Sequence, residues 1–371
     1  MRKILHISKY HTNHSGGIEN IANIINTELS EKFNIKTIAF SSNKENGKHD
    51  FKTILCTPFI TIMSQPISFK YIAEIIKQSG NHDIIYLHYP NILAIFALLF
   101  VKNKNIIIHW HSDVVNQSLL YSFVKWIEKR ILEKAKIVIL STANYSKSSK
   151  ALECVQSKVK VINYGIKDLT YNNKERKRSI KEKNDRRTIL SIGRLVPYKG
   201  FSYLINAMKY LDKNKFELII IGRGSLKKSL QKVINDNHLL NVKILSEIKD
   251  CEKNKLLNSS HIFCLPSITR AEAFGLALVE ALSFGLPLVT FDMPSSGTNF
   301  INQDNLTGYT VKMKDSKDLA KKIEAIAFNK IKYERFSGNS RKRYLQFFTE
   351  PIFLAKMCKV FSTVSEIDKF K

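Results

Sequence analysis

The residues best suited to chemistry gather in Pro266–Leu282, where an apolar run ends at Pro266, a polar loop carries Glu272, and Gly275 opens a strongly apolar helix. Glu280 projects from that helix with seven residues between it and Glu272. A carboxylate in such surroundings is costly unless it meets partners, and ligand hydroxyls such as those of a ribose would satisfy it. Backbone amides of Gly275 and Leu276 at the helix N-terminus suit phosphate or sugar oxygens. Upstream, Ser191–Gly200 follows a strand and opens a helix, and it places Arg194 and Lys199 five residues apart around a turn that begins at Gly193. Two such cations can clamp a diphosphate and neutralise a leaving group without a metal. Ile221–Gly224 ends the next strand in a turn of the same kind, with Gly222 in it. The competing reading of each turn is a solvated basic loop in a basic protein.

Two further constellations lie in the first half. Gly16 and Gly17, followed by Glu19, stand between the first strand and the first helix, where small residues let a backbone approach an anion. No GxGxxG accompanies them, which counts against a nicotinamide enzyme. The segment Ile106–Asp113 puts His109, His111 and Asp113 at the carboxyl end of a strand, with both imidazoles on one side of an extended chain. They could form a metal pair, but no third ligand of suitable spacing is evident, so no metal site is expected.

Repeated strand and helix units must position these groups. Lys3–Ser8, Gly17–Phe33 and Ile35–Ser41 read as β-α-β, followed by strands at Ile84–His88, Asn105–His109 and Ile137–Ser141 and helices at Asn91–Val101 and Gln117–Ala135. Nearly all-apolar strands imply a parallel sheet covered on both faces. Residues 167–187 are dense in charge without apolar period and mark a linker. The pattern then restarts with strands at Thr188–Ile192, Phe216–Ile221, Val242–Leu245, Ile262–Leu265 and Leu288–Thr290, and helices at Phe201–Leu211, Leu226–Asn237 and Leu276–Phe284. The expected architecture is therefore α/β, with two Rossmann-like doubly wound parallel-sheet domains facing an interdomain cleft: residues 1–170, a charged linker 171–187, and residues 188–350. A helix in 351–371 is expected to pack back on the first domain.

The 371 residues suffice for two such domains, since single cores stop growing near roughly 250–300 residues. Five cysteines stand far apart with no CxxC pair, which argues against both a disulfide framework and a zinc site and fits a reducing cytoplasm. The N-terminal apolar stretch is too short for a signal peptide, and the longest apolar run, Ile92 to Val101, falls far below the roughly 20 residues of a membrane-spanning helix. The net charge of +27 suits a polyanionic partner, but it is spread along the chain, and a general abundance of Lys, Ile and Asn accounts for it equally well. A basic stripe with interleaved exposed aromatics is not evident, so nucleic acid is not an expected partner. Leu119, Leu120, Phe123, Trp126, Ile127 and Ile131, beside Lys125, Lys129, Arg130 and Lys134, would let helix 117–135 lie on an anionic membrane or simply pack on the sheet.

Taken in order along the chain, these motifs resemble the GT4 family of GT-B glycosyltransferases. The resemblance rests on Gly16-Gly17-x-Glu19, His111, the Asn163–Ile166 turn, Gly193-Arg194 with Lys199-Gly200, the pair Glu272 and Glu280, and Asn305–Tyr309. It implies that Arg194 and Lys199 bind the donor diphosphate and Glu280 the ribose. Glu272, Phe274, Gly275 and Leu276 would face the donor sugar and phosphates, along with Gly193, Gly222 and the Gly16-Gly17 loop. His111 would lie close to the transferred sugar, with Glu19, His109 and Asp113 on the acceptor side. It also implies retention of anomeric configuration, no metal and no cofactor beyond the nucleotide-sugar. Lys167 replaces a usual acid, and Gly297–Gln303 lacks a common glutamate. That variant, with His-Trp-His-Ser-Asp, looks like bacterial surface-polysaccharide mannosyl- or rhamnosyltransferases of O-antigen or capsule synthesis. GDP-mannose is then favoured over UDP-sugars, with a lipid-linked or polysaccharide acceptor and a cytoplasmic location, peripheral on the inner membrane face. Two alternatives stand beside this reading: a GT-B nucleotide-sugar epimerase and a basic nucleic-acid-binding protein.

Overall fold

The computed structural model describes residues 1–11, 16–41, 52–62, 65–102, 105–114, 121–170, 186–246 and 248–364. The chain forms two compact units, Met1–Tyr164 with Pro351–Lys371, and Gly165–Glu350.

In the first unit the chain runs β1 (Lys3–Tyr10), α1 (Gly17–Leu29), β2 (Asn34–Phe40), β3 (Thr53–Cys56), β4 (Ile60–Ile62), β5 (Gln65–Ile67) and α2 (Phe69–Ser79). It continues through β6 (Ile84–Tyr89), α3 (Ile92–Leu99), β7 (Ile106–Trp110), α4 (Tyr121–Lys134), β8 (Ile137–Leu140), α5 (Ala143–Ser148) and β9 (Val159–Val161). Seven strands make one parallel sheet in the order β3-β2-β1-β6-β7-β8-β9, while β4 and β5 pair as a small antiparallel hairpin. Every side chain of β6, β7 and β8 is buried, as an unbroken apolar strand in a sheet covered on both faces requires. The order steps outward from β1 in one direction and from β6 in the other, so the crevice of this sheet opens between those two strands.

The second unit repeats the plan with β10 (Arg187–Ile192), α6 (Phe201–Ala207), β11 (Phe216–Ile221), α7 (Lys227–Asp236), β12 (Val242–Leu245), α8 (Asp250–Ser259) and β13 (Ile262–Leu265). Then come α9 (Leu276–Ser283), β14 (Leu288–Phe291), α10 (Thr298–Ile301), β15 (Gly308–Val311), α11 (Ser316–Ala327) and α12 (Lys330–Phe347). Its parallel sheet has the order β12-β11-β10-β13-β14-β15, with the reversal between β10 and β13. Its core is built from Ile189, Leu204, Phe216, Leu218, Ile262 and their neighbours from the helices. The last helix, α13 (Glu350–Thr363), returns to the first unit, where Phe361 meets the rings of Phe33 and Tyr86 and its carbonyl accepts from Arg2.

Two expectations need correction. The chain divides after Tyr164, not after residue 170, because Ile166 bridges to Thr349 and Asp168 receives both Nη atoms of Arg341 on α12. Most of the charged linker, 171–185, lies outside the described residues. Helix 201–211 is α-helical only to Ala207, and Met208–Tyr210 tightens into a 3-10 turn. In the region expected as helix 117–135, α4 spans Tyr121–Lys134, and residues 117–120 lie outside the described part. Ile127, Ile131 and Leu132 are buried against the unit, whereas Phe123 and Trp126 are about half exposed.

Candidate functional site

At the reversal of the second sheet, the loops leaving β10 and β13 meet. Lys199 follows β10 and Glu272 follows β13, and Lys199 Nζ lies 2.5 Å from Glu272 Oε2 with both side chains about nine-tenths buried. Ser267 donates to the same carboxylate oxygen at 2.8 Å, and Ser296 donates to the Glu272 carbonyl. The loops are locked by backbone bonds, Ile268 N to Tyr198 O at 2.8 Å and Gly297 N to Ala273 O at 2.9 Å. Glycines permit this closeness. Gly200 has φ +66°, and a Cβ there would stand 2.1 Å from the Pro266 carbonyl oxygen. A Cβ on Gly222 would stand 1.9 Å from the Gly193 carbonyl oxygen, so Gly222 serves the packing of two strand ends against each other. Gly275, at φ +98°, is the N-cap of α9, so the helix starts directly after the loop that carries Glu272.

The pairing of Lys199 with Glu272 was not readable from spacing, since 72 positions separate them. Arg194 is exposed and lies over Tyr198, whose hydroxyl it meets at 2.9 Å. Glu280 has its own partner, Lys253 of α8, at 3.0 Å, and Lys253 also reaches Asp250 at 3.3 Å. Burial pulls the Lys253 ammonium down, but Glu280 and Asp250 outweigh it and leave the group above its ordinary value. Lys253, Ser267 and Ser296 escaped the sequence reading. Lys253 sits on a helix with little apolar periodicity, and the serines carry no distinguishing signal. Phe274 is buried, with its ring edge against Phe348. The arrangement offers a cation fixed by a buried acid, helix amides and a glycine-lined turn at the carboxyl ends of parallel strands. That set suits an oxygen-rich anion such as a diphosphate ester.

In the first unit, Glu19 folds back over Gly16, so close that a Cβ on Gly16 would strike its carboxylate. Asp113 accepts from Trp110 Nε1 at 2.9 Å and from Ser149 at 2.7 Å, a tie between β7 and the loop after α5. His109 is fully buried, and its Nδ1 lies 2.5 Å from the Tyr86 hydroxyl. His111 is buried to 6% exposure between the Tyr164 hydroxyl on Nδ1, at 2.5 Å, and His88 Nδ1 on Nε2, at 2.7 Å. The third imidazole that sequence spacing failed to find is thus His88, which stands directly beside His109 in the register of β6 and β7. His6 on β1 joins the stack, 4.8 Å from His88 between ring centroids, with Nδ1 on Asn26. Burial lowers the imidazoles of His6 to about 4 and His111 to about 3, and holds His88 and His109 well below the ordinary range. All four are neutral near pH 7.

Residues 172–343 match a family model described as glycosyl transferases group 1. The chain is 26% identical to the O-antigen chain mannosyltransferase C of Escherichia coli over 372 residues, spanning 98% of this chain and 99% of that protein. It is 27% identical to the D-rhamnosyltransferase WbpZ of Pseudomonas aeruginosa over 78% of this chain and 76% of its relative. Among solved structures, sucrose-phosphate synthase from Thermosynechococcus elongatus superposes with a TM-score of 0.78 at 17% identity, covering 98% of this chain and 99% of its own. HepE of Anabaena, solved with UDP and glucose, gives 0.72 at 18% identity over 98% and 100%. These last two likenesses are of fold.

Proposed function

On the premise that this chain is a glycosyltransferase of the GT-B fold, we propose that it is a retaining hexosyltransferase of bacterial surface-glycan synthesis, moving mannose from GDP-mannose to a lipid-linked or polysaccharide acceptor. The observation that carries the reading is the Lys199–Glu272 pair beside the α9 N-terminus, at the crevice of the second sheet. In this reading Lys199 and the exposed Arg194 neutralise the donor diphosphate as the bond from the anomeric carbon to phosphate oxygen breaks. The acceptor hydroxyl oxygen bonds to that carbon on the same face, and its proton passes to the departing phosphate. Glu280 takes the ribose hydroxyls, and Gly193, Gly275 and Leu276 line the phosphates and sugar. Because two side-chain cations carry the charge, no Mg²⁺ or Mn²⁺ is required.

A preference for mannose follows the name of the Escherichia coli relative, the guanosine base comes from the sequence resemblance, and HepE was solved with UDP, so both bases enter the test. The catalyst would work at the cytoplasmic membrane face. No helix among the described residues is long and apolar enough to cross a membrane, but Phe123 and Trp126 of α4 are exposed beside Lys125, Lys129 and Arg130. Flotation with liposomes of increasing anionic content checks this, and flotation indifferent to charge would discard it.

The central experiment is a thermal-shift screen of GDP-, UDP- and dTDP-sugars with a chelator present, followed by NMR of the transferred sugar's anomeric configuration. Stabilisation by a GDP-sugar and an axial-to-axial outcome are expected. Failure of every nucleotide-sugar to stabilise the protein would remove the reading, and an inverted or acceptor-free product would replace it with another reaction.

A further inference from the structure

Of the polar clusters in the interior, the histidine stack of the first unit has no part in diphosphate chemistry, and it has the donor set of a cation site. His88, His109 and His111 each offer one ring nitrogen, and the three nitrogens lie within 4.8 Å of one another. The strand register places them. His88 and His109 are direct neighbours across β6 and β7, and His111, two residues beyond His109, falls on the same face of the sheet.

The hydrogen bonds around the cluster orient the rings as ligands need to be oriented. Tyr86 takes Nδ1 of His109 and Tyr164 takes Nδ1 of His111, which leaves Nε2 of each as the atom turned inward. Such outer partners are what fixes tautomer and ring angle at imidazole metal sites. Meanwhile Nε2 of His6, His88 and His109 are all buried without a hydrogen-bond partner. Of these, His109 Nε2 is the atom that a cation shared with His88 Nδ1 and His111 Nε2 would satisfy, and a buried polar atom left without a partner is unusual in a folded interior. The surrounding groups are Asn26 of α1, Tyr86, Tyr164 and the rings of Phe353 and Phe361 of α13, and among the described residues no carboxylate belongs to the cluster.

We infer that His88, His109 and His111 form a binding site for a borderline divalent cation, with Zn²⁺ as the type. Three imidazoles favour Zn²⁺, Co²⁺ or Cu²⁺ over the hard Mg²⁺ and Mn²⁺, so the site is independent of the metal-free diphosphate chemistry proposed for the second unit. At Zn–N near 2.0–2.1 Å, tetrahedral ligand nitrogens stand roughly 3.4 Å apart. His88 Nδ1 and His111 Nε2, now 2.7 Å apart and hydrogen-bonded to each other, would separate by about 0.7 Å, and the widest pair would close. A dication among neutral imidazoles takes its charge balance from the fourth position. A fourth ligand from solvent, water or hydroxide, would complete the coordination and supply that balance.

The test uses the full chain, stripped with a chelator, exchanged into metal-free buffer and titrated with Zn²⁺ and, separately, with Co²⁺. Expected are one equivalent of each bound per chain, a visible Co²⁺ absorption of four-coordinate intensity, and a higher melting temperature in Zn²⁺. His88→Gln and His109→Gln should weaken Zn²⁺ binding more than tenfold, whereas His238→Gln, in the second unit, should leave it unchanged. Because the buried histidine variants can fail to fold, Tyr86→Phe and Tyr164→Phe remove a single hydroxyl each and should weaken binding 10- to 100-fold. The inference falls if the wild-type chain binds less than stoichiometric metal. It falls equally if folded histidine or tyrosine variants bind as well as wild type, an outcome that would leave ordered water as the occupant.

Discussion

Replacing Lys199 by Met tests whether the Lys199–Glu272 pair is structural, functional or both. Met keeps the length and apolar stem of Lys but removes the ammonium 2.5 Å from Glu272 Oε2, in a place where both side chains are about nine-tenths buried. Glu272 would retain the Ser267 hydroxyl at 2.8 Å. A hydrogen bond to a charged group is worth about 1.5–3 kcal/mol, too little to hold an uncompensated buried carboxylate. Breaking one side of such a pair costs about 3–5 kcal/mol. For a unit of this size, 1 kcal/mol moves the melting temperature by about 2–4 °C, so the second unit's transition should drop by roughly 6–20 °C. The double variant Lys199→Met, Glu272→Gln removes both charges and should recover most of the loss, to within about 1–2 kcal/mol of wild type. Neither protein should transfer sugar. Calorimetry resolving two transitions, with transfer assays at saturating donor, gives both readouts. The reasoning is refuted if the single variant melts with wild type, if the double variant is no more stable than the single, or if the double variant transfers sugar.

Gly200→Ala should destabilise the second unit and weaken nucleotide binding, because its Cβ would meet the Pro266 carbonyl at 2.1 Å with φ at +66°, while Gly338→Ala, helical with nothing within 4 Å, should gain about 0.5–1 kcal/mol in the same denaturation assay. Lys253→Met should raise the donor KM several-fold with a smaller change in kcat, since Lys253 holds the Glu280 carboxylate at 3.0 Å and is a positioning residue in this scheme. Its folded-state affinity for a proton is raised, so its contribution to stability is complete below pH 10.5 and lost as pH rises beyond; the melting gap between variant and wild type should close there. Glu128→Gln should stabilise the first unit at pH 7 by a few degrees. Burial raises the Glu128 carboxyl above its ordinary value, so the ionised form opposes folding, and an amide can still accept from Tyr89; the advantage should vanish below about pH 4.5, where both states of the acid are protonated.

Much of the architecture was legible because the strands of a doubly covered parallel sheet must be apolar throughout. Phe216–Ile221, Val242–Leu245 and Ile262–Leu265 are bounded in the structure where their apolar runs begin and end. Elements without that signature were missed: β4 is fully exposed, β9 nearly so, and α8 is held by its first-turn acids and a single buried leucine. The glycine turns and Glu280 announced themselves because φ near +66° or +98° and a carboxylate on an apolar helix are costly local choices, and Glu272 stood out by its place in the loop at the end of a strand.

What the sequence determined by itself was therefore the repeating strand and helix plan, the two sheets and the residues that stand at their carboxyl ends, since periodicity and backbone restriction act over a few residues. Which of those residues touch was decided only by the tertiary structure. Lys199 meets Glu272 because β10 and β13 are neighbours, Glu280 meets Lys253 because α8 lies near α9, and His88 stands beside His109 through the register of β6 and β7. Strand order and register depend on burying two faces of a sheet at once, a condition spread over the whole chain and carried by no short stretch of it.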